Sequence, residues 1–212
     1  MEQNPKENAP FIRIEPKILY FGTPVALVSS VNDDGSTNLA PVSSFWTLGW
    51  TITLGLLTET KTLENFEKRS DCVLSLTSPA IWGQVERLAP LTGQNPVPEK
   101  KRSKFRFEQD KFAAGGFTPM QSELVKAARV KECPVHREAR AHRIHRLEAD
   151  ERLQELGGGA AVEVEVLRVH THQDLVIKER YIAADRWQPL IYNFRHYFGL
   201  GEELAKSFRA EV

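Results

Sequence analysis

From Pro24 onward, apolar and polar positions alternate with the period of strands rather than of helices. Residues 25–31 form a short β-branched run that stops at Asn32-Asp-Asp-Gly35. There Asp-Gly supplies positions tolerant of positive φ and predicts a hairpin. The next run, residues 37–45, contains Pro41, which cannot donate to a ladder. An edge or bulged strand with free backbone groups is the expectation. Residues 51–57 and 72–76 read as further strands, and residues 135–147 as a strand with one wet face. Gly157-Gly-Gly159 then turns the chain into residues 160–169, whose alternation is the clearest strand signal in the sequence.

Helical signals are brief. Residues 60–69 place Leu63 and Phe66 on one face, with Thr60 or Thr62 available as N-cap. A second helix is expected from Pro79 to about Leu88, a weak one over residues 122–128, and partial helix in the aromatic tail, residues 187–208. Residues 1–16, rich in Asn, Pro, Lys and Glu, predict a flexible N-terminal arm ahead of a single domain spanning residues 17–212. The cluster Lys100-Lys-Arg-Ser-Lys104 predicts the solvated face of a loop within residues 91–106. Short strands joined by hairpins and one-turn helices point to a mainly β fold: an antiparallel split or closed barrel with flanking short helices. The regular strand–helix alternation of a parallel doubly wound sheet is missing after residue 90.

Composition narrows the function classes. With 41% hydrophobic and 26% charged residues the chain has an ordinary globular make-up. Its 28 basic and 28 acidic residues cancel, which disfavours a nucleic-acid partner and suits a chain that buries surface in an oligomer. No apolar run approaches the roughly 20 residues needed to span a bilayer, and the polar, proline-spaced start does not resemble a signal peptide. Cys72 and Cys133 lie far apart in apolar segments; they read as two buried thiols in a reducing cytoplasm rather than a disulfide.

The familiar catalytic signatures are absent. There is no G-x-x-x-x-G-K-[ST] loop, no C-x-x-C pair, no G-x-S-x-G elbow and no H-E-x-x-H helix. The glycines at 157–159 precede a strand, the wrong order for a dinucleotide fingerprint. His136, His142, His145, His170 and His172 alternate with arginines and match no closed tetrahedral spacing, so no metal site is expected. Trp46, Trp50, Trp82 and Trp187 suit core packing more often than ring stacking.

Two segments remain as candidates for a site. In Thr58-Glu-Thr-Lys-Thr-Leu-Glu-Asn65, Lys61 and Thr62 stand where a helix begins, and free N–H groups there attract anions. Asn65 lies one turn later on the same face. Such a stretch could hold a phosphate, although the same spacing also describes a capped surface helix. In Asn38-Leu-Ala-Pro-Val-Ser-Ser-Phe45, hydroxyls and an amide surround the ladder-breaking proline. They could satisfy the carbonyls and N–H of an isoalloxazine edge, or simply face water.

Taken together, residues 24–76 carry Val25-Ala-Leu-Val-Ser-Ser, Asp34-Gly, Asn38-Leu-Ala-Pro, Ser43-Ser-Phe, Lys61-Thr and the Cys72–Leu76 run. This pattern resembles the flavin reductase-like family of FMN-binding split barrels, which includes flavoredoxins and NAD(P)H:flavin oxidoreductases. Weaker likeness continues through Gly115-Gly116 and Glu132-Cys133 to the tail. The resemblance implies a Greek-key split barrel, a homodimer and FMN near the subunit interface. Asn38, Ala40, Pro41, Ser43 and Ser44 match the segment that contacts the flavin ring and ribityl chain; Lys61, Thr62 and Asn65 match the segment that holds the phosphate. It further implies hydride transfer from NADH or NADPH to flavin N5 and an electron acceptor such as a monooxygenase. The alternative is a flavoredoxin-like carrier without its own nicotinamide site. The cofactor carries such chemistry, so no acid–base dyad is required, and no catalytic side chain is assigned. The basic 91–106 loop and Arg195-His-Tyr-Phe198 depart from the family's simplest members. Arg195 and Tyr197 are expected at the mouth of the flavin site.

Overall fold

The computed structural model describes residues 11–210; of the expected N-terminal arm, residues 1–10 lie outside the described residues. Residues 11–16 are without regular secondary structure. Seven strands make one antiparallel sheet: β1 (Ala26–Val31), β2 (Thr37–Val42), β3 (Phe45–Leu48), β4 (Thr51–Leu57), β5 (Asp71–Leu76), β6 (Val135–Leu147) and β7 (Gly159–Thr171). Their order across the sheet is β2-β1-β5-β6-β7-β4-β3. The two edge strands, β2 and β3, are consecutive in the chain, with only Ser43 and Ser44 between them. The sheet therefore curls until its edges meet, and it is closed at that seam by the chain itself rather than by a ladder. This is an antiparallel Greek-key split barrel, with short helices α1 (Lys61–Lys68), α2 (Trp82–Leu88), α3 (Lys111–Gly115) and α4 (Glu151–Glu155) flanking it.

Period-two alternation fills the inside. Ala26 and Val28, Ile52, Leu54 and Leu56, Cys72, Leu74 and Leu76, and Ala160, Val162, Val164 and Val166 all point into one core, capped by Leu63 and Phe66 of α1. The opposite face of β1 is covered as well: Leu27 and Leu39 pack under Val85 and Leu88 of α2 and Phe112 of α3. Buried on both faces, β1 reads as a continuous apolar run. Its hairpin to β2 forms as expected, with Gly35 at φ +83°, and the Asn32 amide donating to Ser36 O. Cys72 and Cys133 are both free and buried, and burial pushes both thiols up.

The α1 start is capped by Thr60, whose hydroxyl accepts from the Leu63 amide and donates to Leu57 O at 2.8 Å. Thr60→Ala is expected to lower the unfolding free energy by about 0.5–2 kcal/mol, read from the midpoint of urea unfolding.

Three expectations are corrected. Residues 122–128 are not helical. The Glu138 carboxylate accepts from the amides of Glu123 and Leu124, and Ser122 Oγ donates to Ala127 O, so the backbone there is spent on tertiary partners. The tail is not helical either. Ile191–Asn193 pairs with Phe21–Pro24 on one side and His196–Phe198 on the other, and Phe194 and Arg195 make the turn at φ 46° and 68°. Finally, Trp46, Trp50 and Trp82 are exposed, at 58%, 62% and 55%; only Trp187 packs against the core. Trp46 sits on an edge strand and Trp50 at the turn that follows, where none of the described residues covers their exposed faces.

Candidate functional site

A cleft of about 540 Å³ opens along the barrel seam, within the range of about 300–1,000 Å³ common for small-molecule sites. One wall is the run Ala40 to Ser44; another is Gly55, Leu56 and Leu57 of β4 with Thr60 and Thr62 at the head of α1. Leu147, Leu153 and Gly159 line a third side, and Tyr20, Tyr192 and Tyr197 a fourth. The Tyr192 and Tyr197 rings lie 5.7 Å apart, and Tyr197 Oη donates to Glu86 Oε2 at 2.9 Å. Burial, followed by the Glu86 contact, pushes the Tyr197 phenol up, so it stays a neutral, fixed donor.

The seam itself is held by Ser44. Its carbonyl accepts from the Gly55 amide at 2.6 Å and its hydroxyl donates to Gly55 O at 2.6 Å. A Cβ at Gly55 would come within 3.2 Å of Ser44 Cβ, so the small residue permits this close approach. Ser43, beside it, has no side-chain hydrogen bond among the described residues and lines the cleft. Because β2 is an edge strand, half of its backbone N–H and C=O groups face away from any ladder. Pro41 stands opposite Leu27 on this edge, as its chemistry requires.

At the cleft's polar end, the amides of Lys61 and Thr62 have no intrahelical acceptor because they open α1. Asn38 is buried and joins this end to the strand: its Nδ2 donates to Thr62 Oγ1 at 3.2 Å. Asn38 and Lys61 line an adjoining hollow of about 280 Å³ with Gly93 and Asn95. A Cβ at Gly93 would lie 2.7 Å from Asn38 Oδ1 and 3.0 Å from Lys61 Cγ, so this glycine lets the loop close over both side chains.

Of the residues singled out from sequence, Ala40, Pro41, Ser43, Ser44 and Thr62 meet on the main cleft, and Asn38 and Lys61 stand just beyond its end. The Lys61 ammonium pairs with Glu64 Oε1 at 2.8 Å and lies 4.0 Å from Asp33 Oδ2. Hydrogen bonding from Lys61 holds the Glu64 carboxyl below its usual range. Asn65 is fully buried and lines neither space; its Nδ2 donates to Ser30 Oγ at 3.0 Å and Asn32 Oδ1 at 2.9 Å, tying α1 to the first hairpin. Tyr197 lines the cleft, whereas Arg195 belongs to a separate hollow with Trp82 and Phe198. Thr60, expected only as a helix cap, also lines the cleft, while Gly55, Gly93 and Tyr192 escaped the sequence reading. So did Lys101, whose Nζ donates to Glu59 O just ahead of α1. The 91–106 loop is thus partly anchored rather than wholly solvated.

The histidines are used separately. His142 faces Glu165 at 2.7 Å, His145 faces Glu163 at 2.8 Å and His170 faces Glu138 at 2.9 Å.

The donor set suits a flat, phosphorylated ring system: an apolar slot with one hydrogen-bonding edge at Ala40 to Ser44, and hydroxyls with free amides at the α1 end. Comparison with known proteins places the chain in a family. The model of a family described as flavin reductase like domain matches residues 18–201. The uncharacterized protein YdfE of Bacillus subtilis (strain 168) is 39% identical over 213 residues, covering 100% of each chain. The structure is similar to flavoredoxin of Desulfovibrio vulgaris (Miyazaki F), with a TM-score of 0.74 at 22% identity, over 94% of this chain and 98% of that one. It is also similar to nitrilotriacetate monooxygenase component B from Bacillus cereus, with a TM-score of 0.70 at 21% identity, over 97% and 98%. At these identities the two structures speak for the fold.

Proposed function

The chain belongs to the flavin reductase-like domain family, and from that premise we propose that it is an FMN-binding oxidoreductase that reduces flavin with NADH or NADPH. The single observation that carries this reading is the seam cleft, where an edge strand's free hydrogen-bonding groups meet the opening of α1 in one continuous space. A bound flavin supplies the hydride-accepting centre. The protein's own residues bind and orient. The Ser43 hydroxyl and the free backbone groups around Pro41 satisfy the polar edge of the ring, and Ala40 leaves room for it to approach. Thr62, the opening amides of α1 and Lys61 meet the phosphate, with Lys61 exchanging part of its pairing with Glu64. Ser44 and Asn65 act from behind, one holding the seam and the other fixing α1. Tyr192 and Tyr197 wall the cleft against water, which strengthens every polar contact inside it.

The rest of the reading follows the same premise. A homodimer covers the open side of the cleft, and the protein works in the cytoplasm; no helix among the described residues is long and apolar enough to cross a membrane. The likeness to a monooxygenase component supports an acceptor protein of that kind.

Purified protein is expected to carry, or take up, a chromophore with flavin absorbance that is released as FMN, and to oxidise NADH or NADPH steadily when FMN is present. Absence of flavin binding sinks the reading altogether. Binding without nicotinamide oxidation leaves the flavoredoxin-like carrier in its place. Lys61→Ala is expected to weaken FMN binding by about 1–3 kcal/mol, the scale for losing a charged hydrogen-bond partner. An unchanged dissociation constant in fluorescence titration would put the phosphate elsewhere.

A further inference from the structure

Lys111 is a buried cation that nothing above uses. It opens α3, is only 4% exposed, and donates from Nζ to Asn38 Oδ1 at 3.0 Å. No carboxylate lies within ion-pair distance of it among the described residues. Burying an ammonium against a single amide is costly, so the arrangement calls for a role.

An ammonium can only donate. It therefore fixes the orientation of the Asn38 amide, with the oxygen toward Lys111 and Nδ2 toward Thr62 Oγ1 at 3.2 Å and Ser30 Oγ at 3.4 Å. The Thr62 hydroxyl, already accepting from Asn38, keeps its own proton to give away. Among the described residues that proton has no acceptor, and Thr62 lines the cleft.

We propose that Lys111 is a positioning residue that polarises the chain Lys111 to Asn38 to Thr62, so that Thr62 donates into the cleft and the site selects a phosphorylated flavin over riboflavin. This rests on the FMN reading above. Each link strengthens the next in a low-dielectric setting, and the positive charge at its head adds to the attraction for an anion at its tail. Burial brings the Lys111 ammonium down to about 8, with Glu108 opposing and Lys101 assisting. The hollow beyond Asn38 is lined by further charges, Lys61 with Asp33, Asp34 and Glu108, and the Lys61 ammonium there is answered by Glu64 and Asp33. An anion at Thr62 favours the protonated lysine, so FMN affinity should fall as pH rises above about 8.

The test is titration of FMN and of riboflavin into the native protein, Lys111→Met and Thr62→Val, with binding read from flavin fluorescence. Native protein is expected to prefer FMN. Lys111→Met should weaken FMN on the order of tenfold, leave riboflavin binding unchanged, and abolish the decline of FMN affinity at alkaline pH. A purely structural lysine would shift both flavins together. Thr62→Val, nearly isosteric, should lose the same discrimination and keeps the test open if Lys111→Met does not fold. A native FMN-to-riboflavin ratio in both variants overturns the proposal. Equal binding of the two flavins by the native protein overturns it too while leaving the FMN reading standing, whereas no binding of either removes that reading itself.

Discussion

Replacement of Glu138 by Ala is expected to cost about 3–5 kcal/mol of folding free energy, the scale for dismantling a buried charge network. The carboxylate is 0% exposed yet answered on every side. It accepts from the Glu123 amide at 2.9 Å, the Leu124 amide at 2.7 Å and His170 Nε2 at 2.9 Å, with Arg129 Nε at 3.7 Å. Burial by itself would raise this carboxyl; the two amides and His170 together hold it below its usual range. Alanine would leave the Glu123 and Leu124 amides without their acceptor and remove the carboxylate that faces the Arg129 guanidinium, which keeps Gln121 O; it would also loosen the start of the 122–128 segment from the barrel wall. Urea unfolding measures the loss, and hydrogen exchange at the Glu123 and Leu124 amides localises it. A loss under about 1 kcal/mol, the level of an exposed pair, would show that the network adds nothing to the fold.

The second expectation concerns acid. His136 is 5% exposed, its Nδ1 lies 3.1 Å from Ser75 Oγ, and burial, with Arg129 and His170 nearby, lowers it from 6.5 to about 4. Between those pH values the unfolded chain binds a proton that the folded one refuses. Unfolding free energy should therefore be complete above pH 6.5 and fall as pH drops toward about 4, by about 3 kcal/mol in total. Glu138 shifts in the same direction but from a lower starting value: its lowered carboxyl contributes stability above its unfolded value of 4.5 that is lost only at lower pH still. The two windows are thus separable. Urea midpoints followed from pH 7 to 4 should slope for the native protein and flatten for His136→Asn. An equal slope in both would assign the acid sensitivity to other groups.

Both predictions grow from a part of the chain that the sequence hid. A glutamate and a histidine in a run as charged as Val135–Leu147 look solvated, since only the first third of that strand is covered, and nothing local says which third. The weak helix expected over residues 122–128 failed for the same reason: its amides found a better acceptor on β6 than a helical turn could offer. The tail failed differently. Phe194 and Arg195 accept left-handed conformations that local preference resists, because the hairpin they close adds Ile191–Asn193 and His196–Phe198 to Phe21–Pro24.

What the sequence determined by itself is everything that depends on spacing along the chain. The strands announce themselves by period two, the first hairpin by Asp-Gly, the α1 start by its threonines, and the edge position of β2 by Pro41. From those followed the barrel and most of one cleft wall. Tertiary structure alone decided how the pieces meet: that Ser43 and Ser44 form the seam, that Gly55 and Gly93 are small because neighbours approach them, and that Asn65 is spent on the first hairpin. It also decided that Lys111, 73 residues from Asn38, is the buried charge behind the site. Periodicity reports which face of an element is covered; it carries no record of which distant residue does the covering, because that contact is set by the curl of the sheet and not by any neighbour in the chain.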